Sequence, residues 1–118
     1  MRRLPVRRRA RVDAERHGKL HGRVRTLADG LGGNPDPETI TFELIQRFVD
    51  DIVTVSEEDL AGALRGLVDN EHLVTEGAGA AATAAVASTR VNAAGRRVAV
   101  IVSGSNIDRT RLMSVLAR

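Results

Sequence analysis

The alanine- and glycine-rich run at residues 76–88, EGAGAAATAAVAS, limits the possible folds more than any other stretch of the chain. Alanine is the best helix former, so the run predicts a helix of roughly three turns. Small side chains allow a neighbouring backbone or a flat ligand to approach such a helix closely. Glu76 at its start is favourable through the helix dipole with or without a ligand. The run therefore predicts either close packing or a ligand-facing helix start.

The sequence VAVIVSGSNID, near the carboxyl end, joins β-branched residues to a polar turn. The lack of polar alternation predicts a strand at about 97–102 that is buried on both faces. In open α/β sheets ligands collect at the carboxyl ends of strands, which makes the Ser103 hydroxyl a candidate ligand group. The alternative is that Ser105, Asn106 or Asp108 caps the final helix.

Hydrophobic spacing and capping residues predict the remaining elements. Thr39 or Thr41 can cap a helix that contains the sequence TFELIQRF. Ser56, followed three residues later by Asp59, predicts a capping box at the start of a second helix. In chain order we predict a helix at about 40–49, a strand at about 51–55, a helix from Ser56, the alanine-rich helix, a strand at about 97–102 and a closing helix from Asp108.

This order of elements predicts an α/β fold, a parallel or mixed sheet with helices on both faces. The chain of 118 residues is long enough for one domain with a core. An independent open sheet has about four or more strands, and only two are predicted here. We therefore expect an incomplete domain, completed by a partner chain or by more of the same polypeptide.

Positive charge is concentrated in the first 25 residues, which contain ten of the 18 Lys and Arg and only two of the 15 acidic residues. We predict a basic, poorly ordered arm at residues 1–21, ahead of a domain at 22–118. A nucleic-acid-binding arm is an alternative. No aromatic residue and no known DNA-reading pattern accompanies the arginines, which argues against it.

Several classes of function are excluded by residue types. The chain has no cysteine, which rules out disulfides and thiolate chemistry. It has no Gly-x-Ser-x-Gly sequence of a serine hydrolase, and we predict no metal site because its three histidines are scattered. We expect a cytoplasmic protein, since the sequence shows no secretory signal and no membrane-spanning stretch.

Four motifs, TLADGL, FELIQRFVDDIVTVSEEDL, EGAGAAATAA and VAVIVSGSNID, occur in this order. Their order and spacing resemble the carboxyl end of the pyridoxal-phosphate-dependent serine/threonine dehydratases, which include threonine ammonia-lyases and serine racemases. The resemblance covers about residues 22–117. It implies part of a tryptophan-synthase-β-like fold (PLP fold type II), a three-layer arrangement of sheet and flanking helices in an incomplete domain. The implied reaction is β-elimination of water and ammonia from hydroxyamino acids, which gives 2-oxo acids.

The same resemblance implies the cofactor-binding residues. Ser103 resembles the residue whose hydroxyl meets the pyridine nitrogen of pyridoxal phosphate. A hydroxyl does not keep that nitrogen protonated, so the ring is a milder electron sink, suited to β-elimination. The implied cofactor-binding residues are Glu76, Gly77 and Gly79 of the Glu-Gly-Ala-Gly motif, and Ser103, Gly104 and Asn106 of the Ser-Gly-Gly-Asn motif.

The chain departs from the family pattern in three ways. Ser105 replaces the second glycine of Ser-Gly-Gly-Asn, and its side chain is expected to crowd the cofactor edge or to forbid a turn with positive φ. The Ser-Phe-Lys-x-Arg-Gly motif with the Schiff-base lysine is absent, and so is the phosphate-binding glycine loop. The sole lysine, Lys19, has different neighbours. We therefore assign no catalytic residue and expect an inactive fragment with weak or no cofactor binding.

The alternative hypothesis is a non-catalytic assembly module. In that case the chain complements a separate chain that carries the lysine, because the edges of an incomplete sheet invite a partner. The expected partners are a hydroxyamino acid in the full-length family, and a second copy or a complementary chain.

Overall fold

The computed structural model describes residues 25–32 and 39–117, and there it consists of helices and irregular segments. Four helices follow a short 3-10 turn at Asp29–Leu31: α1 (Ile40–Phe48), α2 (Glu57–Glu71), α3 (Ala81–Ala87) and α4 (Arg109–Leu116). None of these helices has the length and apolar character that crossing a bilayer requires. The predicted arm at residues 1–21 lies outside the described residues.

The described residues divide into two compact units. Residues 39–52 belong to the first, and residues 25–32 and 53–117 belong to the second. In the first unit the Thr39 hydroxyl oxygen accepts the Thr41 N–H and caps α1, so the predicted helix and its cap are confirmed. No residue of α1 is buried.

A capping box begins α2 in the second unit. The Ser56 hydroxyl oxygen accepts the Asp59 N–H, and the Asp59 carboxylate accepts the Ser56 N–H, each at 3.1 Å. The predicted capping box is thus confirmed. The hydrogen bond from the Ser56 N–H is the largest of the contacts that lower the pKa of the Asp59 carboxyl. At its other end α2 stops at His72, which has a left-handed backbone.

The core of the second unit is small because α2 packs mainly on alanine. Leu64 is completely buried, and α2 contacts both α3 and α4. The methyl groups of Ala84 and Ala85 let the backbone of α3 lie close to α2. The core consists of Ala28, Leu60, Ala61, Ala63, Leu64, Leu67, Ala80, Ala84 and Val115. Leu60, Ala63, Leu64 and Leu67 repeat at helical spacing and are buried, whereas Val68, the next residue of α2, is half-buried.

The predicted strands at 51–55 and 97–102 are not formed in the described part of the chain, and the predicted sheet is therefore absent from it. A strand is stable only where a neighbouring strand pairs with its N–H and C=O groups. The side chain of Ile101, predicted to be buried, is 79% exposed. The described residues form helices and irregular segments, and none of them forms a strand of the expected α/β sheet.

The alanine-rich helix is shorter than predicted. It starts at Ala81 rather than near Glu76, because the preceding residues form turns. The Ala80 N–H donates at 3.2 Å to the carbonyls of both Glu76 and Gly77. Residues 76–80, which precede α3, therefore form turns, and they contact Leu27 and the segment at Ser103 and Gly104.

The capping box gives a prediction for stability. We expect Ser56→Ala to lower the free energy of unfolding by about 1 kcal/mol, because the Asp59 N–H loses its acceptor. Urea titration followed by circular dichroism measures this change. Ser114→Ala is the matched control, since its hydroxyl donates only to the Arg111 carbonyl of its own helix. An equal loss in both variants would contradict a specific role for the cap.

The lowered pKa of Asp59 gives a prediction for pH. A lowered pKa in the folded state means that the ionised carboxylate stabilises the fold above its ordinary pKa of 3.8. That contribution is lost as the pH falls through the lowered value. Asp59→Asn does not titrate, so we expect the stability difference between wild type and this variant to shrink below pH 3.8. Urea titrations across this pH range test it, and a constant difference would refute it.

Candidate functional site

Two of the family motifs meet at one backbone carbonyl. The Gly104 carbonyl oxygen accepts the Thr75 hydroxyl at 2.8 Å and the Glu76 N–H at 3.2 Å. These bonds place the start of EGAG beside the turn that contains Ser103. The structure therefore brings the segment of Glu76, Gly77 and Gly79 together with that of Ser103 and Gly104, and their binding of the cofactor stays a prediction.

The two glycines of EGAG are required by close backbone approach. A Cβ atom on Gly79 would overlap the Ser103 carbonyl oxygen and the Thr75 hydroxyl oxygen. A Cβ atom on Gly77 would overlap the Leu27 carbonyl oxygen. Both glycines are buried. Of the two roles that the sequence left open, this geometry supports the packing role, and a contact of these glycines with the cofactor stays a prediction.

Gly104 carries the left-handed backbone of the polar turn. Its φ is +71°, a conformation that glycine adopts without strain. Ser105 is not among the residues with positive φ, so its side chain meets no such backbone conflict, and the expected crowding of the cofactor edge stays a prediction. A Cβ atom on Gly104 would lie 2.6 Å from the Glu76 carboxyl carbon. The Glu76 carboxyl group therefore lies directly against this glycine.

The polar residues around Gly104 are accessible to solvent. Ser103, Ser105 and Asn106 are all exposed. The carboxylate of Asp108 accepts the Thr110 N–H at 2.8 Å and caps α4. Asp108 is thus the helix cap that the sequence allowed, and Ser105 and Asn106 do not have that role.

Two anchoring contacts were missed by the sequence analysis. Glu57, in the first turn of α2, accepts the Thr26 hydroxyl and, at 2.8 Å, the Leu27 N–H. These bonds fix the segment that contacts Gly77. Thr75 was also missed, since nothing in the sequence distinguishes it from an ordinary β-branched residue. It is 1% exposed, and it links the two motifs.

An ion pair connects the 3-10 turn of the TLADGL motif to α4. The guanidinium of Arg111 lies 2.8 Å from the Asp29 carboxylate. This hydrogen bond is the largest cause that lowers the pKa of the Asp29 carboxyl. Both groups are at the surface, so the pair contributes little to stability.

An open groove of about 930 Å³ lies between residues 25–27, α2 and α4. None of the six predicted cofactor-binding residues lines it. Because its lining carries three arginines and three acidic groups, it has no net charge to select an anion. We therefore take the polar turn at Gly104, and not this groove, as the candidate site.

The chemistry of the site fits one edge of pyridoxal phosphate. The exposed Ser103 hydroxyl and the Asn106 amide are uncharged groups that can hydrogen-bond to an aromatic nitrogen or a ring substituent. The only lysine of the chain is Lys19, so the described residues contain no amine for a covalent link. Contact of these groups with the ring of the cofactor stays a prediction.

Comparisons with known proteins give the same family. L-threonine ammonia-lyase of Thermotoga maritima is 43% identical over 83 residues, 70% of this chain and 20% of that protein. The catabolic L-threonine dehydratase TdcB of Escherichia coli is 38% identical over 97 residues, 80% of this chain and 29% of that protein. TdcB of Staphylococcus aureus is 36% identical over 99 residues, 81% of this chain and 28% of that protein. The chain spans less than a third of the length of each relative.

The resemblance found in the motifs is thereby confirmed. A family model described as "Pyridoxal-phosphate dependent enzyme" matches residues 5–104, and the family implies pyridoxal phosphate as its cofactor. The match begins inside the predicted arm, whose separation from the domain stays a prediction. Because the match covers most of its 118 residues, the chain belongs to the family of pyridoxal-phosphate-dependent enzymes.

Proposed function

We propose that the chain is the carboxyl-terminal part of the catalytic region of a threonine/serine dehydratase. The whole enzyme would remove water and ammonia from a hydroxyamino acid and release a 2-oxo acid. The observation that carries this proposal is the Gly104 carbonyl, which accepts hydrogen bonds from both Thr75 and Glu76. It joins the two motifs to which the resemblance assigns the cofactor.

The proposed roles follow from the chemistry of each group. When bound, pyridoxal phosphate supplies the electron sink for the reaction. The Ser103 hydroxyl would donate to the ring nitrogen and leave it unprotonated, since a hydroxyl is a far weaker acid than the pyridinium ion. The Asn106 amide would orient the ring edge. Glu76, which lies against Gly104, would line the same side of the cleft.

We also propose that this chain alone does not turn over substrate. Its described residues contain no lysine, and its sequence contains no Ser-Phe-Lys-x-Arg-Gly motif. Members of the family that the motifs resemble have two α/β domains with the cofactor in the cleft between them, so this chain would provide only one wall of that cleft. Weak, non-covalent binding of the cofactor is the expected behaviour.

Cofactor binding is tested with pyridoxine 5′-phosphate, which has no aldehyde and cannot react with Lys19. We expect saturable changes in the amide resonances of residues 76–79 and 103–106 as this probe is added to the isotope-labelled chain. Changes confined to other residues, or no saturable change, would refute the proposed site.

A matched pair of serine variants sharpens this test. We expect Ser103→Ala to weaken probe affinity roughly tenfold, because one hydrogen bond to the ring nitrogen is lost. Ser114→Ala, on the exposed face of α4, removes a hydroxyl without touching the turn. Its affinity should equal that of wild type. Equal affinities for all three proteins would remove Ser103 from the site.

A second candidate function, a module that assembles with a lysine-bearing chain, is favoured by exposed apolar residues. The segment 98–102 has no strand partner among the described residues, and Val98, Ile101 and Val102 are exposed. In this proposal a strand of the partner pairs with the segment and completes a sheet. Both proposals place this chain beside the same catalytic lysine, on one polypeptide or on two.

Co-expression tests the second candidate. We expect a chain that carries the Ser-Phe-Lys-x-Arg-Gly segment and the glycine loop to co-purify with this chain and to release ammonia from threonine or serine. Ile101→Asp should abolish co-purification, because a charge would be buried at the new interface. Asp51→Asn, at an exposed position of the other unit, is the control. Failure to co-purify and to recover turnover would eliminate this function.

A further inference from the structure

Thr75 is the one buried polar residue of the described core. It is 1% exposed, whereas the preceding Leu73 and Val74 are about half exposed. A polar residue is buried here and apolar residues face solvent, the reverse of the usual distribution. Filling space does not explain this choice, because valine has the same shape and carries no polar group.

The hydroxyl of Thr75 lies close to three backbone carbonyls, two of which belong to the polar turn. Its oxygen lies 2.8 Å from the Gly104 carbonyl oxygen, and 3.2 Å from those of Ser103 and Glu76. A hydroxyl has one proton to donate, and the shortest distance assigns it to Gly104. Without this hydroxyl the Gly104 carbonyl would keep the Glu76 N–H as its donor.

Gly79 leaves room for the adjacent carbonyl, that of Ser103. The Ser103 carbonyl oxygen occupies the space that a Cβ atom of Gly79 would fill. The Glu76 N–H donates to the Gly104 carbonyl from a second direction. Both lone pairs of the Gly104 carbonyl are thereby used, and the backbone directly after Ser103 is fixed on its inner side.

We infer that Thr75 is a positioning residue for Ser103. Its hydroxyl holds the carbonyl of Gly104, the residue after Ser103, against EGAG, and thereby restrains the backbone from which the exposed Ser103 side chain extends. Thr75 itself is 1% exposed, which leaves its side chain too buried to contact a cofactor. The inference rests on the proposed function, because it gives Ser103 the ring nitrogen as its target.

The first measurement needs no ligand. In the 118-residue chain, Thr75→Val removes the hydroxyl and keeps the shape, whereas Thr75→Ser keeps the hydroxyl. We expect hydrogen exchange at the Glu76 amide to be at least roughly fivefold faster in Thr75→Val, and within about twofold of wild type in Thr75→Ser. Exchange at Leu67 in α2 should not change. Equal exchange at Glu76 in all three proteins would overturn the inference.

The second measurement links Thr75 to Ser103 through affinity for pyridoxine 5′-phosphate. We expect Thr75→Val to weaken binding roughly tenfold in the wild-type background and to have no further effect when Ser103 is alanine. A merely structural role would weaken binding equally in both backgrounds. Equal weakening, or unchanged affinity in Thr75→Val, would overturn the inference.

Failure of the inference and failure of the proposed function give different results. If wild type does not bind the probe, the proposed function fails and the link to the cofactor fails with it. Exchange at Glu76 still decides whether Thr75 holds the turn. If Thr75→Val does not fold, Thr75→Ala compared with Thr75→Ser gives the same test, since these two differ by one hydroxyl.

Discussion

The candidate site depends on the approach of one backbone to another without intervening side chains. The Gly104 carbonyl accepts two hydrogen bonds, and Gly79 leaves room for the neighbouring carbonyl of Ser103. Any side chain at Gly79 would push the two segments apart and break both bonds. The small residues of EGAG thus allow backbone contacts that larger side chains would prevent. The core of the same unit also contains many alanines, which allow close packing.

Sequence predicts the helices of this chain well, because their determinants are local. Ser56 and Asp59 are three residues apart and form the predicted capping box, and Thr39 caps α1 over a similar distance. The strand predicted at 97–102 fails for the opposite reason. Its stability depends on hydrogen bonds to another strand, and a local run of β-branched residues cannot supply them.

The candidate site was predictable only in part. The resemblance identified Glu76 and Ser103, and the structure places their segments side by side. Thr75 and Glu57 were not predictable, because their hydrogen bonds reach residues 28 to 31 positions away. A threonine next to EGAG and an acid in a first helical turn have ordinary local explanations. Only the fold shows which distant carbonyl or amide each of them meets.

The Ser103 backbone is restrained unequally on its two sides. On the carboxyl side, Gly104 is bound by Thr75 and Glu76. On the amino side, residues 98–102 have no strand partner in the part of the chain that the structure describes, and their side chains are exposed. Pairing of this segment with another strand would fix the second side, because successive residues of a paired strand share one register. The direction of the Ser103 hydroxyl would then be set by two independent contacts, one within this unit and one supplied by the strand that covers it.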